Sequence, residues 1–150
     1  MADFDRFTTD NWTVAFPSDW VDKSEDSETL YFESPQGDKG LYISLWLMSD
    51  QELRGPRELG GAFQATEIAS FLPESEDWEL LNRSIGDSES PVTGYWEGIN
   101  QVRSYRISGK QLAAGKFVLR ATFHDYDCRN RTISAEYFAP MCDSLQLREA

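Results

Sequence analysis

The stretch Leu119-Arg-Ala-Thr-Phe-His-Asp-Tyr-Asp-Cys128 gathers the chain's sole histidine, two aspartates and one of its two cysteines. Such residues do chemistry when they meet: a thiol beside an imidazole makes a nucleophile with its base, and an imidazole with carboxylates makes a metal site. The spacing argues against both. Phe117, Leu119, Ala121 and Phe123 alternate with Val118, Arg120, Thr122 and His124, the pattern of a strand with one apolar face. His124 then shares a face with Arg120 and Thr122, while Asp125 points the other way. Asp125 and Asp127 share a face, but such pairs arise by chance in a chain this acidic. Neither Cys128 nor Cys142 lies in a nucleophile signature. Two cysteines make neither a disulfide framework nor a four-ligand zinc site, so both are read as free thiols. Gly60-Gly61 and Gly94-Tyr-Trp-Glu-Gly98 fall inside a helix and a strand and form no phosphate loop. No catalytic, cofactor-binding or metal-binding residue is assigned, no cofactor is expected, and the reading is non-enzymatic.

The elements that position these residues follow from periodicity. Trp12-Thr-Val14-Ala-Phe16-Pro17 alternates and stops at a proline, as a half-buried strand does. Glu28–Ser34 and Leu41–Ser49 read as two more strands, joined by a loop with Pro35, Gly37 and Gly40. Proline at Pro56 starts a helix that must end by Pro73, and Leu59, Ala62, Phe63, Thr66 and Ala69 are taken as the stripe it lays on the sheet, as a cover and not a site. Strands follow over Trp78–Ser84, Val92–Gln101, Val102–Ser108 and Lys116–Asp125. From about Asn130 to Leu145, Ile133, Tyr137, Met141 and Leu145 recur every fourth position, a helical stripe that Pro140 should kink or shorten. These segments predict one domain over residues 1–150, built on a single antiparallel sheet with two helices.

Composition narrows the partners. A hydrophobic share of 40% with 13% aromatics is enough for a core. The formal charge of −12, from 26 acidic and 14 basic residues, repels nucleic acid and anionic membrane and draws in basic partners, although solubility alone also favours acidity. The start, Met-Ala-Asp-Phe-Asp-Arg-Phe, has neither the basic nor the apolar part of a secretory signal, and the longest apolar run, Leu41–Met48, is too short for a membrane span. A cytoplasmic protein with no membrane insertion is expected.

One feature of the third strand points to binding. Leu41, Ile43, Leu45 and Leu47 form one row, and Tyr42, Ser44, Trp46 and Met48 form the other. If the first helix covers the leucine row, the opposite face is open to a partner wherever the last helix leaves it bare. Aromatic, Met and Arg residues are enriched at protein interfaces, so Tyr42, Trp46, Met48 and Arg120 are the candidate partner-binding residues.

The opening Trp12-x-Val14-x-Phe16-Pro17-Ser-Asp-Trp20, then a meander, one helix, antiparallel strands and a final helix running into Asp143-Ser-Leu145, resembles the PsbP-like superfamily of α/β/α sandwiches. That superfamily includes photosystem extrinsic subunits, a nuclear-import factor that binds a small GTPase, DcrB-type proteins and the Eag-type chaperones of type VI secretion. The resemblance implies an α+β fold, an antiparallel sheet packed with helices, and a non-enzymatic adaptor or chaperone that holds another protein, as the secretion chaperones do. It carries over no particular binding residue. The alternative, from charge, is an acidic immunity or inhibitor protein that neutralises a basic toxin; a small enzyme comes third.

Overall fold

The computed structural model describes residues 3–87 and 91–148. In chain order they form β1 (Phe4–Thr8), β2 (Trp12–Pro17), β3 (Val21–Asp22), β4 (Thr29–Glu33), β5 (Lys39–Leu47), α1 (Pro56–Phe71), a 3-10 turn (Glu74–Glu76), β6 (Glu79–Ile85), β7 (Val92–Asn100), β8 (Tyr105–Ala114), β9 (Phe117–Asp125), α2 (Arg131–Ser144) and β10 (Gln146–Leu147). The strands make two antiparallel sheets rather than the single one expected: a seven-stranded sheet in the order β3-β4-β5-β9-β8-β7-β6, and a small sheet in the order β1-β2-β10. Aromatic burial explains the split. Phe7 and Phe16 of the β1–β2 hairpin close on Phe32 of β4 with ring centroids 5.0 and 4.6 Å away, so the hairpin lies on the face of the large sheet instead of extending its edge.

The helices cover the faces in the opposite assignment to that expected from sequence. Leu41 and Ile43 of β5, with Leu119, Ala121 and Phe123 of β9, are buried against Trp12, Val14 and Phe16 of β2 and Phe138 and Met141 of α2. The first helix packs on the other face, where Leu59 meets Val92, Ala113 and Val118, and Leu72 meets Trp96 and Ile107. The leucine row takes the small sheet and α2 because together they supply the larger apolar surface, leaving the mixed face to α1.

Both helices are also rotated from their expected stripes. In α2 the buried residues are Ser134, Phe138 and Met141, with Leu145 just beyond, while Ile133 is exposed. A strict fourth-residue line drifts around a helix of 3.6 residues per turn, so the straight stripe alternates steps of four and three. In α1 the buried residues are Leu59, Gly60, Gln64 and Glu67, and Thr66 and Ala69 face solvent. The strand expected over Val102–Ser108 starts at Tyr105 and runs through Gly109 to Ala114. Asn130 caps α2 by accepting from the Ile133 amide at 3.0 Å. Pro140 does not shorten the helix: it sits on the exposed side, and Lys110 Nζ donates to the Cys142 and Leu145 carbonyls at 2.7 and 3.3 Å, satisfying the helix end.

On the α2 side a buried ion pair joins the strands to that helix. Arg106 Nε donates to Glu97 Oε2 at 2.7 Å with both side chains buried, and Arg131 from the first turn of α2 grips the same carboxylate at 2.8 and 3.0 Å. Burial would push the Glu97 carboxyl up, but the hydrogen bonds from Arg131 and Arg106 hold it down to about 2. Removing Glu97 strands the Arg106 charge, so Glu97→Ala should cost about 3–5 kcal/mol in urea unfolding. Arg131→Ala, at a side chain 52% exposed, should cost about 1 kcal/mol or less. Equal losses would show that Arg106 is not the anchored partner.

Candidate functional site

Strand parity brings one set of side chains together on the α1 face. Tyr42 and Ser44 come from β5, Arg120, Thr122 and His124 from β9, and Tyr105 from β8, with Tyr126 just past β9. The second half of α1 hangs Glu67 and Phe71 over them. The result is a half-open pocket of about 320 Å³ with mostly aromatic walls and two charged groups, Glu67 and Arg120.

Glu67 is the unusual member. It is 1% exposed, and its Oε1 accepts from Trp96 Nε1 and Gln111 Nε2, both at 3.0 Å. The Gln111 carbonyl in turn accepts from Gln64 Nε2 at 3.2 Å, and Gln64 Oε1 accepts from Arg83 at 2.8 Å, so a polar ladder runs beneath α1. Two glycines make room for it. A side chain at Gly109 would overlap the Trp96 indole, and one at Gly94 would meet the Gln111 and Gln64 amides at 2.6 and 3.1 Å. Among the described residues Glu67 Oε2 has no hydrogen-bond partner. Burial pushes the carboxyl up to about 7, against the opposing pull of Trp96, Arg120 and Gln111. Because Oε1 is occupied by two donors, the proton resides on Oε2, so this atom, 3.9 Å from Arg120 Nη1, accepts hydrogen bonds when ionised and donates when protonated.

Arg120 is the counterpart. Its Nε donates to Ser44 Oγ at 3.1 Å, its Nη1 lies 3.9 Å from Glu67 Oε2, and its guanidinium stacks 5.5 Å from the Trp46 ring. Among the described residues its other guanidinium donors make no hydrogen bond. Of the four residues singled out from sequence, Tyr42 and Arg120 line the pocket. Trp46 is not among its lining residues: it is 46% exposed, packed on Phe63 of α1 at 5.8 Å, and lines a neighbouring groove along β5. Met48 packs instead into the cluster of Leu59, Val92, Ala113 and Val118 under α1. Glu67, Phe71, Tyr105 and Tyr126 went unread. The signal for Glu67 was present: Leu59, Phe63, Glu67 and Phe71 recur every fourth position, a carboxylate set into an apolar helical line.

His124 is structural in its surroundings. It is buried among Tyr42, Phe71, Tyr105 and Tyr126, with Nδ1 2.7 Å from the Tyr105 hydroxyl and Nε2 2.8 Å from Thr122 Oγ1. Both ring nitrogens are committed, one donating and one accepting, as a neutral imidazole requires. Among the described residues no group of three metal-ligating side chains converges, and both cysteines are free.

These two buried groups act on stability in opposite pH windows. Burial lowers His124 from 6.5 to about 3, so its contribution is complete above 6.5 and is lost as pH falls toward 3. Glu67 is raised from 4.5 to about 7, so stability declines as pH rises through that interval. Urea midpoints should therefore fall from about pH 6 to pH 4 less steeply in His124→Gln than in the parent, and the decline from about pH 5 to pH 8 should flatten in Glu67→Gln. Parallel curves for parent and variants would contradict the assignment.

No protein-family model and no curated protein sequence matches the chain. Solved structures do. The solution structure of cyanobacterial PsbP (CyanoP) from Synechocystis superposes with a TM-score of 0.68 at 14% identity, covering 99% of this chain and 94% of that one. A crystal structure from Bacteroides thetaiotaomicron overlaps at a TM-score of 0.46 and 14% identity, covering 92% of this chain and 45% of that one. The near-complete mutual coverage with cyanobacterial PsbP, over antiparallel sheets and two helices, makes this an α+β protein of PsbP-like fold.

Proposed function

We propose that the chain is a non-enzymatic adaptor or chaperone that holds an extended segment of another protein along the free end of β5. One observation carries this reading. The pairing of β4 with β5 stops at Thr29 and Ser44, whereas β9 continues alongside β5 to Leu47. Met48 donates its amide to Lys116 on the β9 side, and residues of a strand alternate sides, so the N–H and C=O of Leu45 and Leu47 point away from β9. No strand of the described residues meets them there.

This open edge lies in a groove of about 510 Å³ between the β1–β2 turn and the start of β4, lined by Trp12, Leu30, Ile43, Leu45, Trp46 and Leu47 among others. Leu47 is 68% and Trp46 46% exposed. A bare strand edge with apolar side chains on both faces suits a partner that adds as one more strand, backbone bonds giving affinity and alternate side chains giving specificity. Glu28 lines the groove and Glu25 and Asp26 precede it in the same exposed loop, so basic residues flanking the apolar segment complement the rim.

The test uses a photoreactive side chain at position 47 to capture the partner in cells, followed by titration of the captured segment. Leu47→Pro removes the outward amide without touching the β9 ladder, and should abolish binding while leaving the melting temperature close to the parent's. Trp46→Ala should weaken binding at least about fivefold, the ratio of about 1 kcal/mol. A segment that binds both variants like the parent, or that binds as a helix, would overturn the proposal.

A further inference from the structure

The pocket between α1 and β9 adjoins the groove at the strand edge, sharing Thr29 and Ser44 with it, but has a chemistry of its own. It holds a buried carboxylate oxygen with no partner among the described residues, Glu67 Oε2, and 3.9 Å away a guanidinium nitrogen, Arg120 Nη1. Around them stand the rings of Tyr42, Phe71, Tyr105 and Tyr126. We propose that this pocket binds a small flat neutral molecule that presents an N–H donor and a C=O acceptor side by side, the edge of a primary carboxamide or a ring lactam.

Three features select that chemistry. An amide nitrogen and its carbonyl oxygen are about 2.3 Å apart from standard bond lengths, so hydrogen bonds of ordinary length from each splay slightly to span the separation of Oε2 and Nη1. The ligand's N–H then meets the unpartnered Oε2, and its C=O accepts from Arg120. Neutrality follows from the pocket already containing one charge of each sign: an ion or zwitterion would bring further charges to be stripped of water, whereas a neutral amide edge satisfies both existing groups. Flatness follows from the aromatic walls and from a volume of about 320 Å³, which suits one ring system. The ladder from Arg83 through Gln64 and Gln111 fixes Glu67 Oε1, so Oε2 cannot turn away to find another donor. That is a preorganised acceptor, the condition under which a site rejects molecules lacking the matching donor.

Isothermal titration of the full chain with ring-sized probes tests this. Benzamide and uracil carry the amide edge in open and cyclic form and tell a carboxamide from a nucleobase-like source; benzoate lacks the donor and benzylamine lacks the acceptor. At least one amide probe should bind saturably in the millimolar range, about tenfold or more tighter than benzoate and benzylamine. Glu67→Gln, which keeps an oxygen for Trp96 and Gln111 but turns an amide N–H toward the ligand, should weaken that probe about tenfold or more, as should Arg120→Ala. The exposed control Glu52→Gln should leave it unchanged. Affinity should also rise with pH through the neutral range in the parent and stay flat in Glu67→Gln. The charged and titratable groups facing Glu67 are Arg120 and His124 from β9, Tyr126 just past it, Tyr42 from β5, Tyr105 from β8 and, through Gln64, Arg83 from β6; burial keeps His124 neutral at that pH and raises the Tyr42, Tyr105 and Tyr126 hydroxyls, so these stay neutral too. No saturable binding of either amide probe, binding of benzoate or benzylamine as tight as the amides, or Glu67→Gln and Arg120→Ala that both bind like the parent would each overturn the proposal.

Discussion

The Trp96 indole lies flat on the backbone of Gly109, and its N–H is aimed at Glu67. Much of the α1 face depends on that arrangement. Any side chain at position 109 would lift the indole off the sheet and withdraw the donor that anchors Glu67 Oε1. With that donor in place, α1 can bury Glu67 and Gln64 where a helix ordinarily buries leucine, because each polar group but one finds a partner on the strands beneath. The exception among the described residues is Glu67 Oε2, in the wall between α1 and the pocket. A network left short of one bond is costly to stability, and structures keep such groups where a ligand completes them.

The two faces of the large sheet are therefore held by different forces. Toward α2 and the small sheet the contact is mainly aromatic and aliphatic, with Phe7, Phe16 and Trp20 packed around Phe32 and Phe138, and the Glu97–Arg106–Arg131 cluster is its one buried ionic contact among the described residues. Toward α1 it is half polar. The apolar face supplies most of the driving force for folding, since burial of rings and branched chains scales with area. The polar face gives up part of that energy and gains shape and charge specificity. A PsbP-like scaffold by itself specifies neither partner nor ligand, so function has to be argued from these local departures.

Much of this was legible in sequence because it rests on local rules. Alternation located β2, β5, β7 and β9 closely, and proline at the start of α1 marked a helix end that the structure keeps. Tyr42 and Arg120 were placed on one face by parity alone. What escaped depended on contacts between distant segments. Gly109 reads as a break but lies mid-strand, because only Trp96 across the sheet explains it. Gln101–Ser104 reads as strand but turns, with Ser104 at a φ of 52°. Thr66 and Ala69 looked more apolar than Gln64 and Glu67, so the helix was oriented by polarity when its true orientation is set by donors on the strands. The short strands β3 and β10 have two residues each and carry no periodicity to read.

The overhang of β5 has a colloidal side. An unpaired edge with Trp46 and Leu47 exposed is a template for any strand, including the same strand of another copy, and nothing in its own sequence blunts it: no proline and no charge stands between Leu41 and Met48. The chain relies on repulsion instead. Its formal charge of −12 opposes association near neutrality, and that repulsion vanishes around the isoelectric point of about 4.4. Mild acid thus removes the repulsion between molecules in the same range where a buried neutral His124 starts to cost stability, so association through this edge and unfolding are favoured together.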